Sequence, residues 1–131
     1  MSWLPETILG KWLLLVGTIA TFSGLQSIAD TAVNRKVYTK AGASITPLSA
    51  RLFGVWNILS AVIRVKCAYD LKNESVYQLT MFTFALALAH FSSEVFVYKT
   101  ATLNSPGTIS PFIVASSSFL AMAVQYHNYA L

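Results

Sequence analysis

His90 and Glu94 lie four residues apart, so on a helix they share one side. An imidazole beside a carboxylate can pass a proton, orient a hydroxyl or staple two helices. Gln26 and Asp30 repeat that spacing, and Arg51 offers a guanidinium suited to a carboxylate partner. A second set, Asn57, Ser60 and Arg64, also falls on one helix side. Fuller catalytic sets do not appear. The glycines at 10, 17, 24, 42, 54 and 107 make neither a dinucleotide fingerprint nor a phosphate loop. His90 and His127 are the only histidines, without a His-x-x-His or Glu-x-x-His pattern. Cys67 is the only cysteine, which excludes an intramolecular disulfide and a cysteine zinc site. No catalytic residue, cofactor or metal is expected.

The segments that must position these groups are unusually apolar. Of 131 residues, 55% are hydrophobic and 11% charged, whereas a soluble domain carries about 25% charged residues. The nine basic residues are scattered, so no nucleic-acid partner is expected. A helix needs roughly 20 apolar residues to cross the bilayer. Four stretches qualify: residues 7–29, 48–69, 76–98 and 111–126. The expected fold is all-α, a single integral-membrane four-helix bundle over residues 1–131, with connections of about 18, 6 and 12 residues.

Local signals support these starts. Thr46-Pro47 and Ser110-Pro111 each place a capping hydroxyl before a proline. Ser75 with Gln78 resembles a capping box, and Pro5-Glu6 suits a first turn. The first ten residues hold an acid and no Lys or Arg, so the first stretch is taken as a retained span. Basic residues divide four against five between the two sides, which leaves orientation open. The sequon Asn73-Glu74-Ser75 sits in a connection held at the membrane surface and is expected to be unused.

Chain direction then sorts the polar groups. Gln26 and Asp30 end the first span, Arg51 begins the second, and His90 and Glu94 end the third, so all five reach one membrane face. A polar cluster built on an Arg51–Glu94 pair is expected there, because an ionised carboxylate at that depth needs a partner. Asn57, Ser60 and Arg64 form a second polar face toward the opposite side. Arg51 and Arg64 are 13 positions apart, roughly 20 Å along a helix. They cannot both stand outside ~30 Å of hydrocarbon, so one or both must snorkel or pair. Gly17 with Gly24, Ala50 with Gly54, and Ala85 with Ala89 mark expected close helix contacts. Singly, each polar residue reads most simply as structural. Converging at one face, they suggest a contact surface or polar pocket.

Several segments together carry a family resemblance. Ala50-Arg51-Leu52-Phe53-Gly54-Val55-Trp56 opens the second span, and Ile63-Arg64 with Ala68-Tyr69-Asp70 closes it. Tyr77-Gln78-Leu79-Thr80 opens the third, and Ala89-His90-Phe91-Ser92-Ser93-Glu94 lies near its end. Leu25-Gln26-Ser27 ends the first. This set resembles the ergosterol biosynthetic protein 28 family over nearly the whole chain. The resemblance implies a non-enzymatic, multi-pass protein of the endoplasmic reticulum membrane. Its implied partners are the sterol C-4 demethylation enzymes: a C-4 methyl oxidase, a C-3 dehydrogenase/decarboxylase and a 3-keto reductase. The family residues carried over are Arg51, Phe53, Gly54, Trp56, Arg64, His90, Phe91 and Glu94.

The residues themselves agree with a chain that binds laterally. Partner contacts are expected on the small-residue helix faces and on the first connection, residues 30–47, with its Arg35, Lys36 and Lys40. Membrane lipid, sterol and a second copy of the chain are further candidate partners. The alternative is a sterol- or lipid-binding carrier. It would need an apolar cavity between helices that opens to lipid, with the polar cluster at its mouth, whereas a scaffold needs none and should show a packed interior with its distinctive residues facing outward.

Overall fold

Apolar length and end chemistry together set the long helices. The computed structural model describes residues 3–129. The Thr7 hydroxyl accepts the Gly10 amide at 2.9 Å and starts α1, Ile8–Ala29. The short α2, Ala32–Val37, follows Asp30, whose carboxylate accepts the Ala32 amide at 3.1 Å. Thr46 and Ser49 exchange hydrogen bonds as a capping box ahead of α3, Pro47–Ala68. Asn73 accepts the Val76 amide and starts α4, Glu74–Phe96. Then come α5, Pro106–Val124, and the single turn α6, Tyr126–Tyr129. No strand occurs among the described residues. Four helices, α1, α3, α4 and α5, are long and apolar enough to cross a membrane.

Two expected starts move. Asn73, not Ser75, caps α4. The fourth long helix begins at Pro106 rather than Pro111, which lies inside it. Ser105-Pro106 and Ser110-Pro111 carry the same local signal, and tertiary contact decides between them. Gly107 lies against the Lys36 carbonyl, where a Cβ would collide. The Thr108 hydroxyl donates to the Val37 carbonyl at 2.5 Å. Both contacts fix helical geometry ahead of Pro111, at the loss of one backbone bond.

The helices associate as two pairs. α1 packs along the whole of α3, and α4 along α5. The α1–α3 seam uses a seven-residue step on both helices. Gly10 faces the Ala68 carbonyl, Gly17 that of Ala61 and Gly24 that of Gly54. Small residues let these antiparallel backbones touch, which supplies close packing where lipid gives no hydrophobic drive. Ala50 is also buried, but Ala85 is half-buried and Ala89 exposed, so the expected α4 seam does not form. α4 instead buries Tyr77, Thr80, Phe84, Ala87 and Phe91.

Contact between the pairs is sparser. The α3–α4 turn is closed by the Lys66–Asp70 ion pair at 3.3 Å and an Asn73–Asp70 hydrogen bond. Above it, Leu13, Cys67, Tyr77, Phe84 and Met122 form one apolar core, and the Tyr77 hydroxyl donates to the Met122 carbonyl at 2.7 Å. Val37, Ala87, Phe91 and Ala115 form a smaller core toward the other end. The outer faces are apolar and exposed, as at Phe22, Leu59, Phe82 and Leu120.

Candidate functional site

His90 and Glu94 do face one another at the end of α4, but through partners the spacing does not reveal. His90 Nε2 lies 2.6 Å from the Tyr38 hydroxyl, in the connection after α2. Burial, and then the charge of Glu94, push the Tyr38 hydroxyl well above the ordinary phenol range. Tyr38 therefore stays protonated and is able to donate to Nε2. In the tautomer that accepts this bond, a neutral ring carries its proton on Nδ1, the atom facing Glu94 Oε2 at 3.9 Å. That separation is an electrostatic contact rather than a hydrogen bond. The other Glu94 oxygen accepts the Thr100 hydroxyl at 2.5 Å. Lys99 adopts a left-handed φ of 57° and turns the chain so that Thr100 reaches back.

Arg51 takes no part in this cluster. Among the described residues Glu94 has no arginine partner, and Arg51 is exposed. The cause is helix rotation. Ala50 and Gly54 turn toward α1, and Phe53 and Trp56 toward α4, which leaves Arg51 on the outer stripe with Leu48, Val55 and Leu59. Arg51 is near the start of α3, where helical side chains lean toward the N-terminus, a position from which a long side chain can reach the headgroup level. Gln26 is exposed, and the Asp30 carboxylate accepts the Ala32 amide rather than joining Glu94.

Tyr38, Phe53, Trp56, His90 and Phe91 make edge and stacked ring contacts. This aromatic wall borders a groove of about 360 Å³, floored by Asn34, Ser49, Glu94 and Thr100. Arg35, Lys36 and Lys40 are exposed as expected, but their backbone is not a free loop. Asn34 and Val37 are buried, Thr108 and Ser105 bond to the Val37 and Lys36 carbonyls, and the Lys40 amide donates to the Thr100 carbonyl.

Behind the wall lies a second space, an apolar cavity of about 370 Å³ between the two helix pairs. Phe53 and Trp56 line both. The cavity takes in Asn57, Ser60 and Arg64, so the second polar face points inward. Asn57 bonds the Phe53 carbonyl, and Ser60 is buried. Arg64 donates from Nε to the Thr83 hydroxyl at 3.1 Å, and its guanidinium lies 4.0 Å over the Phe84 ring. At the α1–α5 side the cavity reaches exposed Leu15, Ile19 and Ser110. The Trp12–Ser118 hydrogen bond of 2.8 Å closes one end of that opening, and α2 against Gly107 closes the other. Among the described residues no three His, Cys, Asp or Glu side chains converge as a metal would require.

Comparison with known proteins places this arrangement. The family described as Erg28 like protein matches residues 9–120. The Homo sapiens protein named ergosterol biosynthetic protein 28 homolog is 46% identical over 118 residues, 89% of this chain and 84% of that one. Ergosterol biosynthetic protein 28 of Candida albicans is 38% identical over 131 residues, 98% of this chain and 94% of that one. The Saccharomyces cerevisiae protein of that name is 33% identical over 127 residues, 96% and 85% of the two chains. No solved structure matches. Phe53, Trp56, His90 and Glu94 line the groove, Gly54 lies in the α1–α3 seam and Phe91 lines the cavity. The match over residues 9–120, with relatives 33–46% identical along most of their length, shows that the chain belongs to the Erg28 family.

Proposed function

We propose that this chain is a non-enzymatic scaffold of the endoplasmic reticulum membrane that tethers the sterol C-4 demethylation enzymes. The observation that carries this is similarity along nearly the whole chain to proteins named for ergosterol biosynthesis. The architecture suits the role. Four apolar helices with exposed outer faces and short connections offer lateral surfaces and little room for a separate catalytic unit. Holding a methyl oxidase, a dehydrogenase/decarboxylase and a keto reductase together raises the effective concentration of each product at the next enzyme.

Affinity purification of the tagged chain in mild detergent, with mass spectrometry of what accompanies it, tests this. The three enzymes should be recovered together. Their absence, under conditions that preserve other weak membrane complexes, would contradict the tethering role.

A second reading has its own observation. A lipid carrier needs a lateral apolar cavity, and one of about 370 Å³ lies between the helix pairs, within the ~300–1,000 Å³ usual for ligand pockets. The interior is not packed as expected of a scaffold, and the cavity is lined by Arg64 rather than by His90 and Glu94; tethering on the outer faces would leave that interior free for lipid.

A further inference from the structure

Among the described residues Arg64 has no counter-charge. It is 8% exposed and lines the four-helix cavity. Among the described residues it meets no carboxylate; its guanidinium uses only Nε, toward Thr83. A guanidinium has five N–H donors, so the four on its terminal nitrogens lack a protein acceptor. Leaving a buried cation this way is costly in hydrocarbon, where each charge needs a partner.

Its depth narrows what that partner is. Arg64 stands near the end of α3, but helical side chains lean toward the N-terminus, here toward the bilayer centre. Thr83 and Phe84, which hold the guanidinium, are next to the midpoint of α4. A phospholipid headgroup sits ~15 Å away, at the edge of ~30 Å of hydrocarbon. A small free anion reaching that depth would leave the surrounding apolar walls empty. An apolar molecule carrying its own carboxylate satisfies both, because the acid pairs with the guanidinium fork and the body fills the space beside Phe84, Phe91 and Val114.

We infer that the cavity binds an apolar carboxylic acid through Arg64, admitted between α1 and α5. This rests on the carrier reading above, and it adds the chemical class. Within the proposed pathway one class of compound has that chemistry. Oxidation of a sterol methyl group followed by decarboxylation must pass through a sterol carboxylic acid. The cavity would hold that acid between the reaction that makes it and the reaction that consumes it.

The test uses the full chain in lipid nanodiscs and three probes: a radiolabelled sterol bearing a C-4 carboxylate, the matching neutral 4-methylsterol, and phosphatidic acid as competitor. The acid should bind at least about tenfold more tightly than the neutral sterol, as expected for a charge-assisted pair. Arg64→Gln should remove that preference, and Arg64→Lys should keep part of it. Ser110→Phe, which leaves Arg64 intact and fills the opening, should block binding. Elution of the Arg64→Gln nanodiscs at the wild-type position in size-exclusion chromatography, with unchanged helix content by circular dichroism, reports that the variant is folded. Equal binding of acid and neutral sterol, both blocked by Ser110→Phe, would overturn the carboxylate assignment but leave the carrier reading standing. Binding of neither would overturn both. Displacement of the acid by equimolar phosphatidic acid would assign the site to a headgroup phosphate and overturn the inference.

Discussion

The Tyr38 hydroxyl lies 2.6 Å from His90 Nε2 and ties the connection after α2 to the last turns of the third span. Both rings also pack on Phe91, so the bond is set in a partly dry aromatic wall. Tyr38→Phe should cost about 1–2 kcal/mol, since it leaves the imidazole acceptor unmet. His90→Ala should cost more by also removing ring packing. The double variant should fall short of the sum of the two, as for residues in direct contact. Unfolding of the purified chain in detergent measures all three.

Glu94 and Arg51 should behave differently, because among the described residues Glu94 has side-chain partners and Arg51 has none. Glu94→Ala strands the Thr100 hydroxyl and frees the turn at Lys99, for an expected loss of about 1–3 kcal/mol and lower abundance. Arg51→Ala removes an exposed, unpaired group and should stay within about 0.5 kcal/mol. Equal losses in a pulse-chase measurement would restore an Arg51–Glu94 pair.

The α1–α3 seam admits no side chain at Gly54. A Cβ there would collide with the Gly24 carbonyl and crowd Ile28. Gly54→Ala should cost about 1–3 kcal/mol, as overpacking does. Ala89→Leu, on the exposed side of α4, should be close to neutral. Resistance to denaturation by SDS ranks the two variants.

Lys99 carries a left-handed φ of 57°, a conformation strained for side chains with a Cβ. Lys99→Val should cost about 1–2 kcal/mol because branching at Cβ worsens that strain. Lys99→Gly should be neutral or slightly stabilising, relief of strain being offset by the freer unfolded chain. Thermal midpoints of the three chains give the order.

How much was legible follows from range. Span length is a local property, so the four long helices could be read from apolar runs alone. The start of α5 could not, because two Ser-Pro pairs carry one signal and contacts at Lys36 and Val37 choose between them. His90 and Glu94 are neighbours by helical spacing. Tyr38 and Thr100 reach them from connections whose course depends on docking to distant helices. The Arg51–Glu94 pairing failed on rotation: chain direction gives a residue's height, but only the Gly24–Gly54 seam shows which way α3 turns. The cavity was least legible of all, since empty space depends on how far two helix pairs stand apart. Arg64, Asn57 and Ser60 share a helix side by spacing, but only the packing shows that this side lines the cavity.

Photo-crosslinking decides whether the outside of this bundle holds proteins and the inside holds lipid. A benzophenone amino acid placed at exposed Leu59 on α3 should yield adducts with sterol-pathway enzymes in native membranes. The same group at Ser23, which lines the cavity, should yield lipid-sized adducts and no protein. Protein adducts from Ser23 with none from Leu59 would contradict the division of labour argued from the fold.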